Sequence, residues 1–528
     1  MDSRNTVSPA LVSDLEAKGV DVERTFTVLS LIEQDRLKAG KKTGALHLPG
    51  GDDRRISDMT GPVSVTMPLE AARERFADLE INPDTEKIGT IRGNSISFDS
   101  AALERLGVLL YPKLAYGVLN GGMATSYTDI KKNKAVDAAA FSLLEKEFDI
   151  LAQKDRGLPK GAGSAYIDES GKPGPSFLLL KMRSLLIKAL EYRLVSGDTA
   201  APVLPFFQMT STGTAAALAE AYTQYRKDPL LADLIDRTGT DPTRARSRVQ
   251  GFLAALTHSS EGFPRKIFSR AYGEENRGLA LPGGHGENFR ILAPLYRELR
   301  KEGIRFVYLG NVDNLGYTAD PRALALLALR GGELAFEFSW RTAVDIKGGV
   351  LTEDDSGRLS VGDIGQAISA DKLREEEAAG KRALFNCATG LFDLDFLTDR
   401  SEAIQNGIPI RVSDQDKEAG LYAQAEQTTW EVLGLADNPR ILAVSKEDRF
   451  LAAKMLMETL LASPVSARID NSPEVPPEIR DVSRGLRRGL GRLLEEELGF
   501  APPDSRGIRR VLTVPELESN IRKKYGIR

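Results

Sequence analysis

The chain has 528 residues, and its 71 Lys and Arg against 75 Asp and Glu leave a formal net charge of −4, which excludes a chain-wide attraction to nucleic acid. Its length predicts two to four packed units of soluble globular composition, and no run of about 18 apolar residues offers a membrane span. One cysteine, Cys387, excludes an intrachain disulfide, three scattered histidines (His47, His258, His285) exclude a zinc cluster, and Met1-Asp2-Ser3-Arg4-Asn5 lacks the plan of a signal peptide, so a reducing, cytoplasmic setting is expected.

In chain order, helical periodicity begins near Ser13-Asp14-Leu15-Glu16 and ends at Lys38-Ala39-Gly40-Lys41-Lys42. Gly50-Gly51-Asp52-Asp53 reads as a turn and Ala71 to Leu79 as an amphipathic helix. Residues 1–100 are therefore expected to form an N-terminal helical segment with a packing or regulatory role. From about residue 100, short apolar strands alternate with helices. The strand candidates are Ala115-Tyr116-Gly117-Val118-Leu119, Val203 to Met209, Phe306-Val307-Tyr308-Leu309-Gly310, Gly332 to Phe338 and Ala383-Leu384-Phe385-Asn386. A helix from Ala215 to Tyr225 follows the second. This alternation predicts a doubly wound α/β sheet over residues 101–450, whose ligand would lie beyond the carboxyl ends of the strands.

Residues 451–528 read as a helical C-terminal region, with helices expected from Asp448 to Leu461 and from Ile479 to Leu498, and a linker at Pro473–Pro477. Arg484, Arg487, Arg488 and Arg492 read as a solvated helix face balanced by Glu495, Glu496 and Glu497.

The first strand runs directly into Leu119-Asn120-Gly121-Gly122-Met123-Ala124-Thr125-Ser126. Glycines at a strand end let the backbone turn tightly and bring its N–H groups against phosphate oxygens. The pattern is neither a Walker A loop nor G-x-G-x-x-G. Lys131, Lys132 and Lys134 follow, and a lysine so placed could neutralise phosphate charge.

This segment resembles the nucleotide-binding loop of the UDP-glucose pyrophosphorylase family, L-N-G-G-[LM]-G-T-[ST] followed by P-K. The likeness continues in order. Met209-Thr210-Ser211 with Thr214 resembles M-N-S-x-x-T. Pro282-Gly283-Gly284-His285-Gly286-Glu287 is similar to P-P-G-H-G-D, and Asn311-Val312-Asp313-Asn314-Leu315-Gly316 to N-[IV]-D-N-L-G, with Asp320 matching a later acid. Thr342 with Asp345-Ile346-Lys347-Gly348-Gly349 resembles T-R-A-D-x-K-G-G. Asp363-Ile364-Gly365-Gln366 resembles E-x-x-Q, Phe385-Asn386 resembles F-N, and Arg440 and Lys446 resemble the R-F-x-P-V-K region.

The resemblance implies a Rossmann-like, GT-A-like nucleotidyltransferase domain that joins UTP and a hexose 1-phosphate, with glucose 1-phosphate the leading substrate, to give a UDP-sugar and pyrophosphate with Mg²⁺. It implies that Leu119, Asn120, Gly121, Gly122, Met209, Gly284 and His285 hold the nucleotide. Asn311, Asp363 and Asn386 would hold the sugar, and Asp313 the metal. Lys446 and one of Lys131, Lys132 or Lys134, with Lys134 preferred, would neutralise phosphate.

The chain also departs from the family pattern. Ala124 stands for a glycine, the proline of P-K is missing before Lys134, and the family's glutamine ahead of Y-P-R falls near Ser260, before Phe263-Pro264-Arg265. Asp363 replaces a glutamate, and Cys387-Ala388-Thr389-Gly390 follows Phe385-Asn386 where asparagines are expected. Other readings are a UDP-N-acetylhexosamine or broad UDP-sugar pyrophosphorylase, although the former tend to have G-N-G at Gly284-His285-Gly286. A catalytically degenerate regulator that binds nucleotide sugars is the reading from another class.

Overall fold

Continuous apolar runs make strands that are buried on both faces. A computed structural model of the chain describes residues 7–38, 46–50, 53–123, 127–342, 345, 348–505 and 507–528. Its first elements are α1 (Pro9–Ala17), α2 (Val22–Lys38), β1 (Ile56–Asp58), β2 (Leu114–Leu119), α3 (Ala138–Asp155), α4 (Phe177–Ser196), β3 (Phe206–Ser211), α5 (Ala215–Tyr225) and β4 (Arg246–Gln250). The chain continues through β5 (Phe306–Asn311), α6 (Pro321–Arg330), β6 (Leu334–Trp340), β7 (Gly349–Glu353), β8 (Leu359–Asp363), β9 (Leu384–Asp393) and β10 (Pro439–Val444). It ends with α7 (Lys446–Arg449), α8 (Leu456–Ala462), α9 (Pro477–Arg492) and α10 (Val514–Tyr525).

Among the described residues these strands form one ten-stranded sheet in the order β1-β10-β6-β9-β5-β2-β3-β4, with β7 and β8 branching from β9. β5, β2, β3 and β4 run parallel to one another, whereas β9 is antiparallel to both β5 and β6. Successive residues feed different cores, as the period of a strand requires. Tyr116, Val118, Phe306 and Tyr308 join the larger core beneath α3, α4 and α6. Ala115, Leu119, Val307 and Leu309 face the other layer, with Phe289, Leu295 and Trp430. The expected doubly wound α/β sheet is therefore present.

The first hundred residues depart from a separate helical segment. α1 and α2 form as expected, but β1 adds to the central sheet beside β10, and Ile96, Phe98 and Phe76 enter the larger core. A three-residue edge strand carries too little periodicity to be read from sequence. The expected helix from Asp448 to Leu461 is divided into α7 and α8. Between them Leu451 is buried, its carbonyl accepts the Leu315 N–H at 3.1 Å, and the Ala453 N–H reaches the Asp313 carbonyl at 3.2 Å. Packing along the 313–315 turn outweighs helical continuity and brings Phe450, Ala452 and Lys454 to the site.

The C-terminal region is helical but has no core of its own. Leu460, Leu490, Leu517 and Ile521 share the larger core with α4. The arginine face of α9 borders a 620 Å³ concavity in which each guanidinium meets a carboxylate. Arg484 pairs with Asp481, Arg487 with Asp470, Arg488 with Glu447, Arg492 with Asp448 and the neighbouring Arg509 with Glu495. The face is balanced as expected, but mostly by acids of α7 and the 470–481 segment rather than by Glu495–Glu497.

Candidate active site

The register of the parallel strands aligns their carboxyl ends. Leu119 lies opposite Asn311 on one side and Met209 on the other, and Ser211 lies opposite Gln250. Two cavities open beyond this edge. One, of 530 Å³, is lined by Leu119, Gly121, Gly122, Met209, Gln250 and Gly284, among others. The second, of 380 Å³, is lined by Asp363, Phe385, Asn386, Arg411, Trp430 and Lys454, among others. His285, Asn311 and Asp313 line both, so the two cavities meet at these three side chains.

In the glycine turn, Asn120 faces inward. Its N–H donates to the Met209 carbonyl at 2.8 Å and its amide Nδ2 to Gln208 Oε1 at 3.1 Å. It fastens the turn to β3 and does not line the cavity. Ser211 Oγ donates to the Gly121 carbonyl at 2.8 Å, and a Cβ on Gly122 would meet nothing within 4 Å. Ala124, Thr125 and Ser126 lie outside the described residues.

Gly284 has φ +82°, and a Cβ there would come within 2.3 Å of the Gln427 carbonyl oxygen. Glycine alone fits that position. Next to it, His285 Nδ1 accepts the Thr429 N–H at 3.0 Å, which leaves Nε2 to carry the proton of the neutral ring. Burial, then Lys454 and Arg411, hold its ionisation down at about 4. The ring is a neutral donor at the junction of the cavities.

Lys134, the lysine preferred from the sequence, does not reach the cavities. Lys134 is exposed, and its ammonium sits over the Phe141 ring, 5.1 Å from the centroid. Helix Ile130–Lys134 and α3 form an excursion, after which the chain returns through a bridge between Met123 and Pro159. Lys160 follows. Its N–H donates to the Gly122 carbonyl at 3.1 Å, its side chain lines the larger cavity, and its ammonium contacts the Asp313 carboxylate. Pro159-Lys160 is thus a Pro-Lys pair set against the glycine turn, and that dipeptide was a signal in the sequence for a cation at the larger cavity.

Ser260 lies in a short turn capped by His258, whose Nδ1 accepts the Ser260 N–H at 3.1 Å, and it lines neither cavity. Gln250, at the end of β4, lines the larger cavity instead, and its Nε2 donates to the Gly284 carbonyl at 2.9 Å. Arg440 is bound to the Arg330 and Gly331 carbonyls, away from the cavities. Asp320 caps α6 through the Arg322 N–H at 2.8 Å.

The smaller cavity holds Asp363, which is ion-paired with Arg411, and Asn386, whose Oδ1 accepts the Ala388 N–H at 2.9 Å. Ala388 has φ +51° and presents only a methyl group where the family pattern has asparagine. Lys454, which the sequence reading did not single out, adds a cation to the lining. Lys446 begins α7 and lines neither cavity. It pairs with Asp345 and lies over the Phe385 ring, 5.6 Å from the centroid. Ile346 and Lys347 lie outside the described residues.

Two cations, buried Lys181 and half-buried Arg449, hold the Asp313 turn. Lys181 of α4 donates to the Asn314 and Tyr317 carbonyls at 2.7 and 2.9 Å, and burial lowers its ionisation to about 7. Arg449 Nε bonds Glu337 Oε2 at 3.0 Å, Nη2 reaches Tyr308 Oη at 3.0 Å, and its carbonyl accepts Asn314 Nδ2 at 3.0 Å. The helix carrying Lys446 and the turn carrying Asp313 are thus joined through one residue.

Residues 266–474 match the family described as UTP–glucose-1-phosphate uridylyltransferase. A protein of that name, numbered 2, from Dictyostelium discoideum is 32% identical over 107 residues, 20% of this chain and 21% of that one. The uridylyltransferase of Astragalus penduliflorus is 25% identical over 224 residues, 39% of this chain and 47% of that one. The matched stretches thus span less than half of these curated relatives. Among solved structures, the UDP-N-acetylglucosamine pyrophosphorylase of Trypanosoma brucei, in complex with an inhibitor, aligns with TM-score 0.57 at 15% identity, covering 93% of this chain and 90% of that one. That likeness extends the shared fold over nearly the whole chain.

Proposed function

We propose that this chain, a divergent member of the UTP–glucose-1-phosphate uridylyltransferase family, joins UTP and a hexose 1-phosphate, with glucose 1-phosphate the leading substrate, to give a UDP-sugar and pyrophosphate. The observation that carries the reading is the meeting of two cavities at His285, Asn311 and Asp313. The larger takes the nucleotide and the smaller the sugar, so their phosphates converge where the cavities join.

A sugar-phosphate oxygen attacks the α-phosphorus of UTP. A P–O bond forms there as the bond to the β-phosphate oxygen breaks, and pyrophosphate leaves with that electron pair. Both reactants are anions, so alignment and charge neutralisation lower the barrier without a covalent intermediate. Lys160 neutralises the nucleotide phosphates, Lys446 and Lys454 the sugar phosphate, and the Nε2–H of His285 donates to an α-phosphate oxygen. The amide of Gln250, both donor and acceptor, suits the edge of uracil, with Met209 against its face. Asp363, Asn386 and Asn311 hold sugar hydroxyls.

Asp313 suits Mg²⁺, which keeps most of its waters and takes one or two carboxylates plus phosphate oxygens. Mg²⁺ bound there would offset charge on the phosphates. A single buried cysteine, Cys387, fits a cytoplasmic setting, and no described helix is long and apolar enough to cross a membrane.

The test is pyrophosphate release from UTP and Mg²⁺ with a panel of hexose and N-acetylhexosamine 1-phosphates. Turnover with glucose 1-phosphate supports the reading. Turnover with N-acetylglucosamine 1-phosphate alone would assign the other sugar class. UDP-glucose binding without turnover of any sugar would make the chain a regulator.

A further inference from the structure

The N-terminal helices reach into the nucleotide cavity's walls at two points. At the first, the turn between α1 and α2 pairs with the end of β4. Val20 bridges to Phe252, the Asp21 N–H donates to the Phe252 carbonyl at 2.8 Å, and the Phe252 N–H donates to the Gly19 carbonyl at 3.1 Å. Gly251 and Phe252 line the cavity. Thr25 Oγ1 continues the seam by accepting the Ala254 N–H at 3.1 Å.

At the second point, Arg24 is buried against the far wall. Its Nε donates to Glu287 Oε1 at 3.0 Å and its Nη2 to Gln427 Oε1 at 3.0 Å. Arg24 is 6% exposed and Glu287 2%, so the pair is withdrawn from water. Glu287 closes the segment Pro282-Gly283-Gly284-His285-Gly286-Glu287. Gln427 clasps the same segment through its backbone, accepting the Gly286 N–H at 2.8 Å and donating its own N–H to the Gly283 carbonyl at 3.0 Å. One guanidinium therefore ties together both supports of Gly284 and His285. A planar fork suits that task, because it fixes direction as well as charge.

We infer that the α1–α2 hairpin is a structural part of the nucleotide site and that Arg24 is a positioning residue for Gly284 and His285, acting through Glu287 and Gln427. Its effect on nucleotide rests on the function proposed above. Its effect on the 283–286 loop does not. Without Arg24, Glu287 keeps only Arg290, whose Nε donates to its Oε2 at 2.9 Å, and Gln427 Oε1 loses its buried donor, so the loss should be felt at the loop first.

The experiment uses the full chain and three variants, Arg24→Met, Arg24→Lys and the exposed Arg36→Gln on the same helix. Hydrogen exchange without ligand reads the loop. Amides of residues 283–286 should exchange at least about tenfold faster in R24M, less so in R24K, and at the unaltered rate in R36Q. Calorimetry with UDP reads the site. R24M should weaken UDP by about tenfold or more, and R24M with His285→Ala should lose less than the product of the two single losses, since both act on the 283–286 loop.

Unchanged exchange at 283–286 in folded R24M would overturn the inference, as would independent, additive losses from R24M and H285A. Should R24M not fold, R24K decides, because unaltered loop exchange there overturns the inference equally. A chain that binds no UDP while its loop still responds to R24M would sink the proposed function and leave the positioning role standing.

Discussion

Lys160 and Asp313 touch side chain to side chain where the two cavities join, across a sequence separation of 153 residues. A cation and the proposed metal carboxylate thus share the position at which phosphates would converge. Lys160→Ala should lower kcat/KM for UTP by about a hundredfold or more, the scale for losing a preorganised phosphate contact. Lys134→Ala should stay within about threefold of the unaltered chain, since the exposed lysine rests on the Phe141 ring and lines neither cavity. Pyrophosphate-release kinetics decide between them, and a larger loss in K134A would return the role to Lys134.

Asp313→Asn keeps the shape of the side chain and removes its charge. If Asp313 holds Mg²⁺, most metal-dependent turnover should be lost, by about a hundredfold or more. UDP binding without metal should hold or tighten, because a negative charge has left the phosphate site. The check is a Mg²⁺ titration of turnover beside metal-free calorimetry. A normal Mg²⁺ response in D313N would remove Asp313 from the metal site.

The pH behaviour of His285 follows from its depressed ionisation. Its ordinary value is 6.5, and burial together with Lys454 and Arg411 holds it at about 4. The unfolded chain therefore takes up a proton between these values that the folded chain refuses. The neutral ring's contribution to stability is full above 6.5 and is lost as pH falls toward 4. Urea unfolding should show the unaltered chain losing stability more steeply than His285→Gln over that window. The ring should also stay neutral at pH 5.5 by NMR, with its proton on Nε2. Titration near 6.5 would contradict the geometry.

Much of this was legible in the sequence. Leu119, Gly121, Gly122, Met209, Asn311 and Asp313 were readable as cavity residues because each stands at the end of an apolar strand, where chain order and spatial order agree. Lys160 was not, because Ile130–Lys134 and α3 part it from its turn and place five other lysines in the interval. Gln250 was not singled out, because the glutamine of the family pattern was sought near Ser260, ahead of Phe263-Pro264-Arg265. Arg24 belongs to a region whose periodicity announces only helices, and its partners lie 263 and 403 residues away. Local pattern reveals elements, whereas an insertion or a long-range pair appears only once the chain is folded.

Two glycines separate binding from folding. Gly122 lines the larger cavity, and a methyl group there meets nothing in the free protein. Gly122→Ala should leave the melting temperature unchanged while weakening UTP by about tenfold, the scale of a lost close approach between backbone and phosphate. Gly284 is the opposite case. Its left-handed backbone and the Gln427 carbonyl exclude a side chain whether or not nucleotide is present. Gly284→Ala should cost about 1–3 kcal/mol of stability from backbone strain and weaken UTP as well. Thermal melts and UTP calorimetry on both variants test the contrast. Unaltered UTP affinity in a well-folded G122A would mean that the phosphates do not pass over the glycine turn, and the placement of UTP in the larger cavity would have to be redrawn.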